Sequence, residues 1–110
     1  MKVLKFKGNM LYGDIFNALN LFIEEYDNVN SEKYFDGEET QIIFSEECLI
    51  IIEYVTGVVY TDYSVCPINV RIFGKDPKKI HKVKEIILEK FEICDLIKTE
   101  IKDVDEVIYF

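Results

Sequence analysis

Cys48-Leu49-Ile50-Ile51-Ile52-Glu53-Tyr54-Val55-Thr56 decides how this chain folds. β-Branched and aromatic residues dominate the stretch, and they suit a pleated strand. Ile50, Ile52 and Tyr54 alternate with Leu49, Ile51 and Val55, so both faces of the strand are apolar. Such a strand sits centrally in a sheet, covered on both sides or by a partner.

Reading outward, residues 41–45, 58–65 and 68–73 carry the same Ile, Val, Thr and Tyr bias and are further expected strands. Glu46-Glu47 and Thr56-Gly57 are the expected hairpin turns. Symmetric pairing about Thr56-Gly57 sets Glu53 against residues 59–61. In the last of these strands Ile68, Val70 and Ile72 face one way and Asn69 and Arg71 the other, with Pro67 at the entrance. Residues 27–40 are polar and rich in turn formers, and read as one long loop that Tyr34 and Phe35 pin to the body.

Two helices flank this β region. Leu11, Ile15, Ala18, Leu19, Phe22, Ile23 and Tyr26 recur at spacings of three and four. The first helix is expected to start near Met10 under an Asn9 cap, with Asp14 as the alternative cap. Before it, Leu4 and Phe6 share one face of a strand and Lys5 and Lys7 the other, and Gly8-Asn9 ends that strand. The second helix opens on Asp76 as N-cap and Pro77 at its first position. Ile80, Val83, Ile87 and Phe91 form its buried stripe. Ile97, Thr99 and Ile101 then alternate with Lys98, Glu100 and Lys102 as another strand, and the apolar Val107-Ile108-Tyr109-Phe110 offers an edge for pairing.

The expected order is β-α-β-β-β-β-α-β. Strands clustered between helices and joined by short links imply an α+β two-layer sandwich. Its sheet is mainly antiparallel, with five or more strands and two helices. Residues 1–110 form a single domain of ordinary size, and a hydrophobic fraction of 49% is ample for a core.

Charge is unevenly placed. From Gly8 to Val70 twelve acidic residues face Lys33 as the one basic residue, whereas from Arg71 to Lys84 six basic residues face Asp76 alone. The net charge of −8 disfavours nucleic acid, because backbone binding draws on Lys and Arg. It favours a basic protein partner instead. No apolar run is long enough to span a bilayer. The basic Met1 to Lys7 lacks the apolar stretch of a secretory signal. Three widely spaced cysteines, Cys48, Cys66 and Cys94, suit reduced thiols in the cytoplasm.

Catalytic and metal patterns are thin. His81 is the single histidine and no two cysteines have zinc-ligand spacing, so no metal and no cofactor is expected. In the acidic loop Val29 and Lys33 fall where a calcium loop needs a ligand and a glycine. The serines lie in no glycine-flanked elbow. Glu53 and Asp62 interrupt apolar strands and, if buried together, would suit proton transfer; the bland alternative is a wet sheet face. Lys75, Lys78 and Lys79 surround a helix start that attracts anions, although Asp76 competes for it.

The reading that follows is a non-catalytic interaction or regulatory module. It presents an acidic surface, Glu32, Asp36, Glu38 and Glu39, to a basic partner, beside an aromatic patch of Tyr54, Tyr60 and Tyr63. Self-association through a sheet edge or the C-terminal segment accompanies it. The alternatives are a small-ligand-binding regulatory domain, with its site near Gly8-Asn9 or Gly74-Lys75, and a small enzyme using the sheet carboxylates.

Overall fold

The computed structural model describes residues 1–26, 32–35, 40–44, 47–54, 61 and 63–104, with backbone alone at 26, 32–35 and 40–44. Its elements are β1 (Lys2–Leu11), α1 (Tyr12–Tyr26), β2 (Glu32–Phe35), β3 (Thr40–Phe44), β4 (Cys48–Tyr54), β5 (Val65–Gly74), α2 (Pro77–Lys90), β6 (Cys94–Lys98) and β7 (Lys102–Asp103). The seven strands make one antiparallel sheet in the order β2-β3-β4-β5-β1-β6. β7 pairs with the Lys2-Val3 end of β1. Both helices pack on one face, so the architecture is the expected α+β two-layer sandwich.

Period-two alternation places the core. Leu4, Phe6 and Met10 of β1 face the helices, as do Ile50, Ile52 and Tyr54 of β4 and Ile68, Val70 and Ile72 of β5. α1 answers with Ile15, Ala18, Leu19 and Phe22, and α2 with Ile80, Val83 and Ile87, closed by Phe91. Each such large apolar side chain taken out of water stabilises the fold by roughly 1.5–3 kcal/mol. Val3, Ile51 and Phe73 form a smaller buried cluster on the opposite face, with Leu49 and Val104 against it. That cluster accounts for the two apolar faces of β4. We call this side the open face.

α2 begins as the sequence expects. The Asp76 carboxylate accepts a hydrogen bond from the Lys78 amide, and Pro77 occupies the first turn. Several other boundaries differ. β1 does not stop at Gly8-Asn9 but continues to Leu11 through a bulge between Lys7 and Asn9. Met10 is therefore a buried strand residue, and α1 starts at Tyr12, whose amide donates to the Ser64 carbonyl. Asn9 pairs within the sheet and Asp14 lies inside the first turn of the helix.

The expected loop 27–40 contains β2, a four-residue strand paired with β3. Its Tyr34-Phe35 pair supplies the β propensity that outweighs the charged Glu32-Lys33. The expected strand 58–65 lies largely outside the described residues. Of those that are described, Thr61 and Ser64 close a turn on each other, and the next strand begins at Val65. Consequently Glu53 lies opposite Asn69, not opposite residues 59–61. Pro67 falls just past the point where β4 ends opposite Ile68, so its missing N–H costs the β4–β5 ladder nothing. The last expected strand starts earlier, at Cys94, and breaks before resuming as β7. The C-terminal segment 105–110 lies outside the described residues.

Candidate functional site

The open face is arranged in rows across the strands. One row holds Leu49, Phe73 and Val3, the next Ile51, Arg71 and Lys5, and the next Glu53, Asn69, Lys7 and Ile97. Beyond these come Pro67 opposite Asn9, then Val65 opposite Leu11. A groove of about 450 Å3 runs over the middle rows, lined by Lys5, Lys7, Glu53, Asn69, Arg71, Ile97 and Thr99. A shallower extension of about 370 Å3 continues over Gly8, Asn9, Pro67 and Asp95. The two share Lys7, Asn69 and Ile97, so they form one trough across β4, β5, β1 and β6.

Local geometry fixes each wall. Thr99 is tied to β1 beyond the end of β6. Its amide and its hydroxyl both donate to the Lys5 carbonyl, each at 2.9 Å, and its hydroxyl oxygen accepts from the Lys5 amide at 3.1 Å. Gly8 leaves space for Ile93 and the Cys94 carbonyl at the bulge, and Asp95 beside it adopts φ 53°, a left-handed conformation that Asp tolerates better than most residues. The Asn9 side-chain amide reaches toward the Asp95 carboxylate at 3.5 Å. Ile97 stands 58% exposed at the rim.

Electrostatics set the trough apart from the rest of an acidic chain. Lys5 and Arg71 are direct cross-strand partners, and like charges so placed repel. Glu53, diagonal to Arg71, makes an ion pair with its guanidinium. Both partners are partly exposed, so the pair contributes at most about 1 kcal/mol. Among the described residues neither Lys5 nor Lys7 has an ion pair. The larger groove therefore holds two exposed lysines and an arginine against Glu53 alone, while Asp95 lies in the extension.

The residues singled out from sequence scatter differently. Tyr54 belongs to the core rather than to a surface patch: it is 2% exposed and packs edge-to-face on Phe16 with centroids 5.9 Å apart. Tyr63 is 87% exposed, on the turn before β5. Tyr60, Asp62, Asp36, Glu38 and Glu39 lie outside the described residues, and Glu32 is placed by its backbone in β2. At the start of α2 the Asp76 carboxylate fills the helix terminus, and Lys79 is paired with Glu47 at 2.8 Å, which raises its pKa. Lys75 and Lys78 are exposed beside them. His81 is exposed on α2. The three thiols are unbridged. Burial, with Glu47 adding to it, pushes Cys48 up to about 11, and burial also raises Cys66. No group of metal-ligating side chains gathers among the described residues, and none of their helices is long and apolar enough to cross a membrane.

The site residues that sequence reasoning missed are Lys5, Lys7, Asn69, Arg71, Ile97 and Thr99. For Lys5, Lys7, Asn69 and Arg71 outward alternation was the available signal, whereas Ile97 and Thr99 lie on the apolar side of their strand's alternation; neither pattern reveals which strands become neighbours.

No family model and no curated protein matches the chain. Among solved structures it is similar to the adenosylmethionine decarboxylase from Aquifex aeolicus VF5. The TM-score is 0.54 at 14% identity, over 98% of this chain and 96% of that one. At that identity the likeness shows a shared α+β fold and nothing of activity.

Proposed function

We propose that this chain is a non-catalytic, small-ligand-binding regulatory module that works in the cytoplasm through the trough on its open face. One observation carries the reading: a groove of about 450 Å3 lined by Lys5, Lys7 and Arg71 in a chain of net charge −8. Its size falls in the range of small-molecule sites. The ion pair of Glu53 with Arg71 favours a binding role for this carboxylate over proton transfer. Native mass spectrometry of protein purified without denaturant tests the proposal. An added mass of a few hundred daltons that is lost on unfolding supports it. A bare mass counts against it if amide spectra of the trough also stay silent to every small molecule offered.

The acid-rich stretch from Gly8 to Val70 supports a second reading, in which Glu32, Asp36, Glu38 and Glu39 meet a basic protein partner. E38K/E39K would weaken capture by a lysine-rich peptide and flatten its salt dependence. Unchanged capture would remove that surface from consideration. The same mass spectrum reads the oligomeric state, and a dimer mass would support pairing through a sheet edge or the C-terminal segment.

A further inference from the structure

We propose that the trough takes a small molecule with a doubly charged anionic head, a phosphate monoester or a dicarboxylate, seated over the Lys5–Arg71 cross-strand pair. This rests on the trough being a ligand site, and it names the ligand's chemistry.

The trough contains a local electrostatic conflict. Opposed like charges on neighbouring strands disfavour the fold, and sequences break such local rules chiefly at functional sites. Lys5 and Arg71 are opposed in this way in the centre of the sheet. Lys7, one row along on the same face, adds a third cation to the groove wall. Glu53 compensates one charge through Arg71 and leaves two without a counter-ion among the described residues. A dianion matches that excess; a monoanion or a neutral molecule does not.

The neighbours orient the ligand. The second edge of the Arg71 fork and the Lys5 and Lys7 ammonium groups are donors for anionic oxygens, while the Thr99 hydroxyl proton stays on the Lys5 carbonyl. Asn69, on the trough floor, offers both a donor and an acceptor. Asp95 lies in the extension beyond the Gly8 bulge, not at the Lys5 end. The anionic head thus belongs over Lys5 and Arg71, and hydroxyl or amine donors on the body of the ligand point toward Asp95. Ile97 supplies an apolar rim for its carbon skeleton.

The test is an amide-resolved NMR titration of the full chain at fixed ionic strength, using glycerol 3-phosphate and succinate as dianions. Acetate is the monoanion, glycerol the neutral probe and putrescine the cation. Saturable shifts at Lys5, Lys7, Asn69, Arg71 and Thr99 with the dianions, roughly tenfold or more tighter than with acetate, are expected. Lys5→Gln keeps the Arg71–Glu53 pair and should weaken dianion binding by roughly tenfold, one charged hydrogen bond's worth. Lys82→Gln, on the exposed side of α2, should not. Equal binding of acetate and glycerol 3-phosphate, or indifference to Lys5→Gln, would overturn the proposal. Shifts at the same amides with glycerol or putrescine but not with the dianions would overturn the anionic class while keeping the trough as a site. Silence from every probe, together with a bare native mass, would remove both.

Discussion

A Cβ built at Gly8 would stand 2.3 Å from Ile93 Cγ2 and 2.5 Å from the Cys94 carbonyl oxygen. One of those contacts is backbone, so relief requires β6 to move away from β1. Gly8→Ala should therefore destabilise by about 2–3 kcal/mol, the upper range for overpacking, as read from a denaturant midpoint. A midpoint unchanged from the parent would show that the bulge is not built as described. Lys5→Gln acts in the opposite direction. It removes one of two opposed cations, so it should leave stability unchanged or raise it by up to about 1 kcal/mol. Loss of stability would mean that the Lys5 stem, not its charge, supports the sheet. The thiols give a third check. Cys94 is exposed while Cys48 and Cys66 are buried, so a thiol reagent at neutral pH should modify Cys94 fast and the others only as the chain opens. Cys48 ionises near its ordinary 9.0 when unfolded and near 11 when folded, so its contribution to stability is complete below pH 9 and fades as pH rises toward 11. The raised lysines Lys79 and Lys90 shift stability in the same direction.

At the scale of elements, α2 rests on its cap. Removing the Asp76 carboxylate frees the Lys78 amide and should cost about 1 kcal/mol in Asp76→Ala, with Asp76→Asn nearly neutral, both measured by thermal melting. If both variants melted like the parent, the packing of Ile80, Val83 and Ile87 alone would hold the helix. This helix was legible because Asp76-Pro77 is a local signal and the stripe has the helical period. The sheet face of β1 was legible for the same reason, through Leu4 and Phe6 against Lys5 and Lys7. What could not be read was pairing. β2 hides in a polar segment because four residues give too short a pattern, and strand status there comes from partnering β3. The β4–β5 register escaped because Thr56-Gly57 looks like a two-residue turn, whereas the paired residues Tyr54 and Ile68 bracket a much longer connection. The trough depends on that register and on β1 returning between β5 and β6. Arg71 meets Lys5 and Ile97 meets Lys7 only through contacts distant in sequence, which no local pattern encodes.

Over the whole molecule, two electrostatic effects compete, and salt separates them. The net charge of −8 makes the compact state repel itself, a long-range penalty that added salt relieves. Against it stand short-range pairs such as Lys2–Asp103 at 2.6 Å, Lys79–Glu47 at 2.8 Å and Lys90–Glu25 at 2.9 Å, which salt weakens. Each is open to solvent, which screens it. Lys2–Asp103 has a pH signature of its own. The Lys2 ammonium holds the Asp103 carboxyl below its ordinary range, so the attachment of β7 to β1 is strong at neutral pH and loosens as acid protonates Asp103. The repulsion acts across a surface whose acidic groups outnumber basic ones 21 to 13, and these few pairs do not cancel it. The melting temperature should accordingly rise by a few degrees as sodium chloride increases from about 20 mM to about 500 mM, where the screening length shrinks below roughly 5 Å. A small dianion that fills the trough should stabilise further at constant ionic strength, by mass action on the folded state, and this increment should vanish in Lys5→Gln. If melting temperature falls with salt instead, the discrete pairs outweigh the net charge. The open-face cations would then be stabilised by their own neighbours rather than held against repulsion for a ligand.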